Sequence, residues 1–252
     1  MTTVAGRLAA APHPSPNLVD VWLAPPTAEL AAAALPLLSA EERARDARFQ
    51  HTGARQQFLV GRWLLRTVLA ERLGTTPAAV PLVASERGAL AVLAAANPAH
   101  LRFNLSHTEG LVAIALAAGC PVGVDVEDCE RPGRTVALAE RYFAPTEVAA
   151  LRARPPAAQR DRFFQLWTLK EAYIKARGQG LAIPLARFAF DLDPACSAIG
   201  FTADADVDPD PPRWRFRTFR PTARHQLSVA LCCGAEGPLV VSVRCLFNPA
   251  PR

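Results

Sequence analysis

Two long amphipathic helices, each followed by a series of short strands, constrain the fold of this chain more than any other feature. The first helix is predicted from about Arg55 to Leu73, where apolar side chains share one face and Gly74 follows the last turn. The second helix is predicted from about Ala158 to Arg177, and Gly178 ends it. Helices followed by strands, in an order that occurs twice, predict an α+β fold with two similar halves.

The predicted strands and shorter helices complete both halves. The first group of strands runs over Leu101–His107, Leu111–Ala117 and Pro121–Glu127, and the second over Arg187–Leu192, Trp214–Phe219, Gln226–Cys232 and Leu239–Cys245. Shorter helices are predicted after a capping box at Ser39 and Glu42, over Thr135–Tyr142 and near Pro145. The two halves, residues 1–120 and 121–252, are expected to meet near residue 120.

The composition predicts a chain that folds in water. Half of the 252 residues are hydrophobic, which is enough for a sizeable core. The longest apolar stretch, residues 111–124, is interrupted by Gly119, Pro121 and Gly123, so it is too short and too broken to span a bilayer. The six cysteines lack zinc-site spacing and no secretion signal is recognisable, so we expect reduced thiols, a cytoplasmic location and no membrane partner.

The basic residues favour an anionic partner. The net charge of +5 is carried almost wholly by arginine, and it suits a phosphate, a nucleic acid or an acidic protein surface. The chain has only two lysines, Lys170 and Lys175, and they flank Glu171. Where arginine fills nearly every other basic position, this pair suggests sites that require a compact ammonium group. Chance survival of two lysines is the alternative.

Alternation along Val122–Glu127 places two carboxylates on one face of a strand. Successive side chains of a strand point to opposite faces, so the three valines would face a core while Asp125 and Glu127 point together to the other side. Two neighbouring carboxylates repel each other unless a cation lies between them, and oxygen ligands suit Mg²⁺. The alternative is a strand with a solvated acidic face.

The second long helix carries another carboxylate on an apolar face. Residues spaced three, four and three apart share that face: Phe164, Trp167, Glu171 and Ile174. An unpaired carboxylate would be costly there, so Glu171 needs a partner. Lys175, one turn further on, is one candidate, and a metal ion shared with the two carboxylates of the strand is another.

The segment Phe103–His107 ends a strand with a serine and a histidine. Ser106 and His107 suit phosphate oxygens, which side chains and backbone N–H groups bind at such strand ends. A purely structural histidine is the alternative. A Ser–His nucleophile pair is disfavoured, because adjacent residues of a strand point apart.

The order of these segments resembles that of the Sfp-type 4′-phosphopantetheinyl transferases. The matching segments are FNLSH at 103–107, GVDVED at 123–128 and FFQLWTLKEAYIK at 163–175, the last followed by a Gly-x-Gly turn. The resemblance extends from the helix at Ser39 to about Pro184, and more loosely to Cys232. One departure is Ala89-Leu90, which stands where the family often has Lys-Pro beside the adenine.

The resemblance implies a pseudo-twofold pair of α+β halves with coenzyme A bound in the cleft between them. It implies that Asp125, Glu127 and Glu171 hold Mg²⁺. Glu171 and Lys175 would be catalytic, with Lys175 on the phosphates and Glu171 orienting or deprotonating the attacking serine. The remaining cofactor-binding residues that it implies are Arg45, Arg55, Arg62, Arg87, Ser106 and His107.

The implied reaction moves the 4′-phosphopantetheine arm of coenzyme A to a serine of an acyl, peptidyl or aryl carrier protein and releases adenosine 3′,5′-bisphosphate. The expected partners are coenzyme A and apo carrier proteins, without nucleic acid. A monomer is expected, because two halves in one chain supply both walls of the cleft.

Two other functions use parts of the same pattern. A Mg²⁺-dependent diphosphate hydrolase would use the same carboxylates, but the sequence has neither a P-loop nor a Nudix-like glutamate cluster. A nucleic-acid-binding protein would need clustered basic residues among exposed aromatics, whereas these arginines are dispersed.

Overall fold

The structure is a computed structural model that describes residues 17–84, 89–178, 183–192, 199–234 and 236–246. Its helices are α1 (Ala28–Ala34), α2 (Ala40–Asp46), α3 (Thr52–Leu73), α4 (Thr135–Tyr142), α5 (Pro145–Arg152) and α6 (Pro156–Arg177). Its strands are β1 (Leu18–Ala24), β2 (Leu82–Ala84), β3 (Leu90–Val92), β4 (Leu101–Thr108), β5 (Leu111–Ala118), β6 (Val122–Asp128), β7 (Phe188–Asp191), β8 (Gly200–Ala203), β9 (Trp214–Phe219), β10 (His225–Cys232) and β11 (Val240–Cys245).

Two main sheets organise the fold. The first sheet has the order β11-β1-β5-β4, in which β11 runs parallel to β1 and the other neighbours are antiparallel. The second sheet has the order β6-β10-β9 and is antiparallel throughout. Two small hairpins, β2-β3 and β7-β8, lie outside these sheets.

Three apolar cores hold the layers together, and strand alternation assigns residues to them. The first core lies between α3 and the first sheet and includes Leu65, Leu69, Trp22, Ile114 and Leu116. The second lies between the facing sheets and includes Val21, Ala115, Val124 and Val229. The third lies under α6 and includes Phe163, Leu169, Tyr173 and Ala230. The layers therefore follow the order helix, sheet, sheet, helix, and the predicted α+β class is confirmed.

The long elements match their predictions closely. The helices α3 and α6 begin only two or three residues before the predicted starts, and each ends at a glycine with positive φ, Gly74 at 63° and Gly178 at 64°. The capping box at Ser39 is present, with Ser39 and Glu42 each accepting from the other's backbone N–H. The elements that the sequence reading missed are β1, α1, the hairpin β2-β3 and strand β8.

The last strand corrects the assignment of elements to halves. The sequence reading placed residues 239–245 in the second half, but β11 pairs with β1 in the first sheet over six residues, from Leu18↔Val240 to Leu23↔Cys245. Because β1 has β5 on its other side, it is a central strand that needs a partner on both edges. A boundary between halves at residue 120 stays a prediction.

The structure bears on the membrane-spanning potential of the helices and on the state of the cysteines. Over the described ranges, no helix combines the length and the apolar character that a membrane crossing requires. Cys120, Cys129, Cys232, Cys233 and Cys245 are free thiols, as predicted. Cys196 lies outside the described residues.

Lys170 is a buried structural residue of α6. Its side chain is fully buried, and its Nζ donates to Glu147 Oε2 at 2.7 Å, to Leu185 O at 2.8 Å and to Phe188 O at 2.7 Å. Although burial lowers the pKa of Lys170, three acceptors satisfy all three donors of a charged ammonium group. Glu147 also accepts from the backbone N–H groups of Ala144 and Phe190. The pair therefore ties α5, α6 and β7 together.

Replacing Lys170 tests this buried pair. Lys170→Met leaves the carboxylate of Glu147 buried without its cation, and we expect the free energy of unfolding to fall by about 3–5 kcal/mol. Asp161→Asn is the control, because Asp161 pairs with Arg220 at the surface and its loss should cost at most about 1 kcal/mol. Urea denaturation followed by tryptophan fluorescence measures both. Equal losses would contradict the structural role of Lys170.

Gly123 sets the distance between β6 and α6. A Cβ atom at this position would lie 2.0 Å from Ala172 O and 2.6 Å from Ala176 N. Both atoms belong to the helix backbone, which cannot rotate away as a flexible side chain would. A glycine is therefore required for β6 to approach α6 this closely.

A matched pair of glycine substitutions tests this contact. Gly123→Ala should lower the free energy of unfolding by about 3 kcal/mol or more, because strand and helix must separate to admit a methyl group. Gly53→Ala, near the start of α3, should be neutral or slightly stabilising, because nothing lies within 4 Å of the added Cβ. Denaturant midpoints measure the difference, and a Gly123→Ala midpoint equal to that of the wild type would rule out the close approach.

Candidate active site

The candidate site follows the line along which β6 lies against α6. The three valines of β6 are buried in the core between the sheets. Asp125 and Glu127 alternate with them and point to the side of α6, where Asp125 meets Lys175 and Glu127 meets Trp167. The predicted alternation of β6 is therefore confirmed, but its acidic face meets a helix and is not a solvated surface.

One face of α6 supplies the other half of the site. Trp167, Glu171 and Lys175 are spaced by four residues and therefore lie on one side of the helix. Phe164 and Ile174, which the sequence reading placed on the same face as Glu171, are buried in the core under α6. Glu171 is half-buried at the edge of that core.

Asp125 is the centre of a compact polar cluster. Its Oδ1 accepts from Lys175 Nζ at 2.7 Å and from Ser106 Oγ at 2.9 Å. Lys175 Nζ also donates to Ser106 Oγ at 2.9 Å and to Val124 O at 3.2 Å. Ser106 Oγ in turn accepts from the backbone N–H of Val126 at 3.3 Å. The buried hydroxyl of Ser106 thus organises Asp125 and Lys175 with all of its hydrogen bonds in use.

Glu127 is held by two donors from different elements. Its carboxylate accepts from Trp167 Nε1 at 3.1 Å and pairs with Arg131 Nε at 3.3 Å. Burial raises the pKa of Glu127 to about 7, and the negative charge of Asp125 raises it as well. A proton therefore competes with any cation for this carboxylate near neutral pH.

The third carboxylate, Glu171, belongs to the same electrostatic group. Burial raises the pKa of Glu171, and the charge of Asp125 raises it further, while Lys175 opposes both effects. The negative charge of Asp125 therefore raises the pKa of both Glu127 and Glu171. Such a group of carboxylates is unfavourable until a cation neutralises it.

The donor set fits a divalent cation, although the side chains do not enclose one as they stand. Within the part of the chain that the structure describes, no three His, Cys, Asp or Glu side chains are arranged so that they could hold a metal ion. However, Asp125 Oδ2 is buried and finds no hydrogen-bond partner among the described residues. An orphaned carboxylate oxygen beside two carboxyls with raised pKa values suits an oxygen-seeking ion such as Mg²⁺.

Basic residues of the first half gather near the histidine. The surrounding protein lowers the pKa of His107 by desolvation, and the positive charges of Lys175 and Arg45 lower it further. The guanidinium groups of Arg45 and Arg62 lie 5.2 Å and 4.9 Å from the centre of the Phe58 ring. Arg62 Nε also lies 3.0 Å from Glu42 Oε1. Arg45, Arg62 and His107 are thus brought together by α2, α3 and β4.

The other two arginines that were predicted to bind the cofactor are Arg55 and Arg87. Arg55 forms a two-pronged pair with Asp46, with distances of 2.7 Å and 2.8 Å, and its side chain is 45% exposed. Asp46 therefore takes up hydrogen bonds of the Arg55 guanidinium that was expected to bind the cofactor. Arg87 lies outside the described residues.

A cavity of about 460 Å³ opens beside the cluster. Its walls come from α3, β3, β4, the start of β6 and the end of α6. Three of its lining residues are cationic: Arg62, Arg102 and Lys175. A volume in this range and a cationic lining suit a phosphorylated small molecule.

Trp167 and Arg102 are residues of the site that were not predicted from the sequence. Trp167 was assigned to an apolar face, but its indole N–H holds Glu127. Arg102 was not selected at all, although it lines the cavity. Its position between Leu101 and Phe103 in an alternating strand was the available signal, since an exposed arginine on such a strand faces away from the core.

Comparison with known proteins identifies relatives of both halves of the chain. The 4′-phosphopantetheinyl transferase superfamily model matches residues 121–232, and the model for 4′-phosphopantetheinyl transferase, N-terminal, matches residues 22–119.

Two related transferases and one solved structure match parts of the chain. A 4′-phosphopantetheinyl transferase of Bacillus subtilis is 36% identical over 155 residues, which cover 62% of this chain and 66% of the relative. A phosphopantetheinyl transferase of Thraustochytrium sp. is 34% identical over 205 residues, which cover 77% of this chain and 70% of the relative. The crystal structure of Thermotoga maritima holo-[acyl-carrier-protein] synthase is 21% identical with a TM-score of 0.39, covering 46% of this chain and 65% of that one.

The extent of the matches differs among these relatives. The matched region spans slightly less than two thirds of the Bacillus subtilis protein, at 66% of its length, but 70% of the Thraustochytrium protein. Matches at this level of identity and coverage, together with two family models on adjoining segments, establish that this chain belongs to the 4′-phosphopantetheinyl transferase family.

Proposed function

We propose that this protein transfers the 4′-phosphopantetheine arm of coenzyme A to a serine of an apo carrier protein and releases adenosine 3′,5′-bisphosphate. The observation that carries the proposal is the position of Lys175. This residue lines the cationic cavity and also touches Asp125 and Ser106. A phosphorylated ligand in the cavity would therefore lie next to the carboxylate cluster, as a phosphoryl transfer requires. Membership of the family supports the same reaction.

Asp125, Glu127 and Glu171 would hold the Mg²⁺ ion. The support for this assignment is the orphaned Oδ2 of Asp125 and the raised pKa values of the two glutamates. When bound, Mg²⁺ supplies a Lewis acid that withdraws negative charge from diphosphate oxygens. Trp167 and Arg131 orient Glu127 for this role through the indole N–H and the guanidinium.

The protein's own groups then account for the transfer. The hydroxyl oxygen of the carrier serine attacks the phosphorus next to the pantetheine arm, and the bond to the leaving phosphate breaks. Lys175 donates to the diphosphate oxygens and so stabilises the charge that builds on them. Glu171, whose pKa burial raises above its ordinary value, accepts the proton of the serine hydroxyl. Ser106 keeps Asp125 and Lys175 in place throughout.

The nucleotide end of coenzyme A is proposed to lie against the first half. Arg45 and Arg62, whose guanidinium groups lie over the Phe58 ring, and His107, which is close enough to Arg45 to respond to its charge, supply nitrogen-bearing groups for the 3′-phosphate. Arg55 contributes less in this proposal, because it forms two hydrogen bonds to Asp46, whereas Arg62 shares the carboxylate of Glu42 with Arg66. A role of Arg87 beside the adenine, a monomeric state and a cytoplasmic location remain predictions from the sequence.

The proposed reaction is tested with the purified protein, coenzyme A, Mg²⁺ and a panel of apo carrier proteins. Intact mass spectrometry should detect addition of the phosphopantetheine arm to the carrier, and a chelator should abolish it. A panel of acyl, peptidyl and aryl carriers that all keep their apo masses would refute the proposed function.

A single carboxylate exchange tests the chemistry of the site. Glu171→Gln keeps the size of the side chain but loses the proton acceptor and a metal ligand, so kcat should fall by at least about a hundredfold. The melting temperature should stay close to that of the wild type, because Glu171 lies at the edge of the core. Glu71→Gln, on an exposed turn of α3, is the matched control and should keep full activity. Near-normal turnover of Glu171→Gln would exclude both roles.

Comparison of coenzyme A with dephospho-coenzyme A tests the 3′-phosphate site. The wild type should have a KM for dephospho-coenzyme A that is about tenfold to a hundredfold higher, since a charge-assisted hydrogen bond contributes roughly 1.5–3 kcal/mol. The double variant Arg45→Ala/His107→Ala should lose most of this preference and keep most of kcat. Lys175→Ala should instead lower kcat and keep the preference for coenzyme A over dephospho-coenzyme A.

Arg220→Ala provides the control for charge alone, because Arg220 pairs with Asp161 in the second half. Arg220→Ala should change neither kcat nor the preference for coenzyme A over dephospho-coenzyme A. A double variant that prefers coenzyme A as strongly as the wild type would show that the 3′-phosphate binds elsewhere.

A further inference from the structure

Cys120 and Cys233 face each other across the ends of two paired strands. The antiparallel register of β6 and β10 places Leu231 opposite Val122. The pairing continues one residue further, because the backbone N–H of Cys232 donates to Pro121 O at 3.0 Å. The next residues along, Cys233 and Cys120, are therefore direct cross-strand neighbours.

The hydrogen-bond pattern defines the type of this cross-strand pair. The backbone N–H of Cys233 donates to Arg213 O at 3.0 Å, on the side of β9, so it points away from Cys120. Cys120 and Cys233 thus occupy a non-hydrogen-bonded position, where opposite Cα atoms lie about 4.5 Å apart in antiparallel pairs. Disulfides span Cα separations of about 4.4–6.8 Å, so the separation expected for this type of pair falls within the disulfide range.

The two thiols also lie on the same face of the strands. Cys233 is buried in the core between the sheets, and Cys120 is half-buried against that core. Cys233 Sγ donates to Asn17 Oδ1 at 2.9 Å. Cys232, the neighbour in sequence, points to the opposite side and is buried in the core under α6. Burial raises the pKa of the Cys120 thiol, and the proximity of Cys233 raises it further.

We propose that Cys120 and Cys233 form a reversible dithiol–disulfide couple that low-molecular-mass disulfides oxidise. The thiolate of Cys120 attacks one sulfur of the small disulfide, whose S–S bond breaks and releases one small thiol. Cys233, after losing its proton to solvent, attacks the sulfur of Cys120 and displaces the second small thiol. Two electrons pass from the protein thiols to the small disulfide, and the protein gains one S–S bond.

Exposure decides which thiol reacts first. Cys120 is half-buried and within reach of a small disulfide, whereas Cys233 is 2% exposed and acts as the resolving thiol. Because the thiolate is the nucleophile and burial raises the pKa of Cys120, the reaction should be slow near neutral pH and faster in alkaline buffer. The bond would fasten the turn before β6 to the end of β10, beside Pro121 on the cavity wall.

The test counts thiols after treatment with glutathione disulfide in alkaline buffer. A Cys196→Ser/Cys245→Ser background removes Cys245, which is exposed, and Cys196, which lies outside the described residues, so that neither thiol forms an adduct. Maleimide labelling of the denatured protein, read by intact mass, should show two fewer labels and no glutathione adduct. The oxidised protein should also melt at a higher temperature than the reduced protein, because the bond restricts the unfolded chain. An unchanged label count would overturn the proposal.

Serine variants in the same background identify the partners. Cys233→Ser should trap one glutathione on Cys120, since the resolving thiol is missing, and Cys120→Ser should keep all of its remaining labels. Serine preserves the donor to Asn17, so folding should be retained, and Cys120→Ala is available if Cys120→Ser misfolds. Cys129→Ser and Cys232→Ser are the controls and should still lose two labels. The assigned pair would be refuted if oxidised Cys120→Ser lost two labels, or if oxidised Cys232→Ser kept all of its labels.

Discussion

Hydrogen bonds from the backbone of β6 to side chains of β4 join the two sheets, where no backbone–backbone ladder forms. Strands β4 and β6 are neighbours without pairing as strands, and side-chain oxygens of three alternate residues of β4 accept backbone N–H groups of β6. Asn104 accepts from Val124 at 3.1 Å, Ser106 from Val126 at 3.3 Å and Thr108 from Asp128 at 3.2 Å. These three bonds satisfy the free edge of β6, which would otherwise carry unpaired donors beside the cleft. The position of the whole candidate site depends on this junction.

The junction also changes the role assigned to Ser106. The sequence reading expected its hydroxyl to face a bound phosphate, but the structure uses that hydroxyl to connect Val126, Asp125 and Lys175. The serine therefore transmits the geometry of the sheet junction to the two charged groups nearest the cavity. A direct contact between Ser106 and a cofactor stays a prediction, whereas His107 lies on the other face of β4 and responds to the positive charges of Lys175 and Arg45.

Local periodicity explains how much could be predicted from the sequence. Alternation along β6 and four-residue spacing along α6 are properties of single elements, so they located the carboxylates before any contact was known. Long-range pairing has no such signal. The partner of Lys170 is Glu147 on another helix, and Asp20 in β1 reads as a break in an apolar strand although it is buried against Arg72, with a separation of 2.6 Å. Strand β1 was not predicted, and the need for Gly123 follows only from the helix that packs against it.

The pairing of β11 with β1 has a consequence for how the chain is made. During synthesis β1 emerges before β11, so its second edge stays open until residues 240–245 have left the ribosome. For most of translation, an apolar strand with one unsatisfied edge is exposed, and such edges are templates for intermolecular pairing. Closure of the first sheet is thus among the most distant contacts in the sequence, and contacts of this kind slow folding. Yield in a cell should therefore depend on whether a chaperone shields β1 until the far end of the chain arrives.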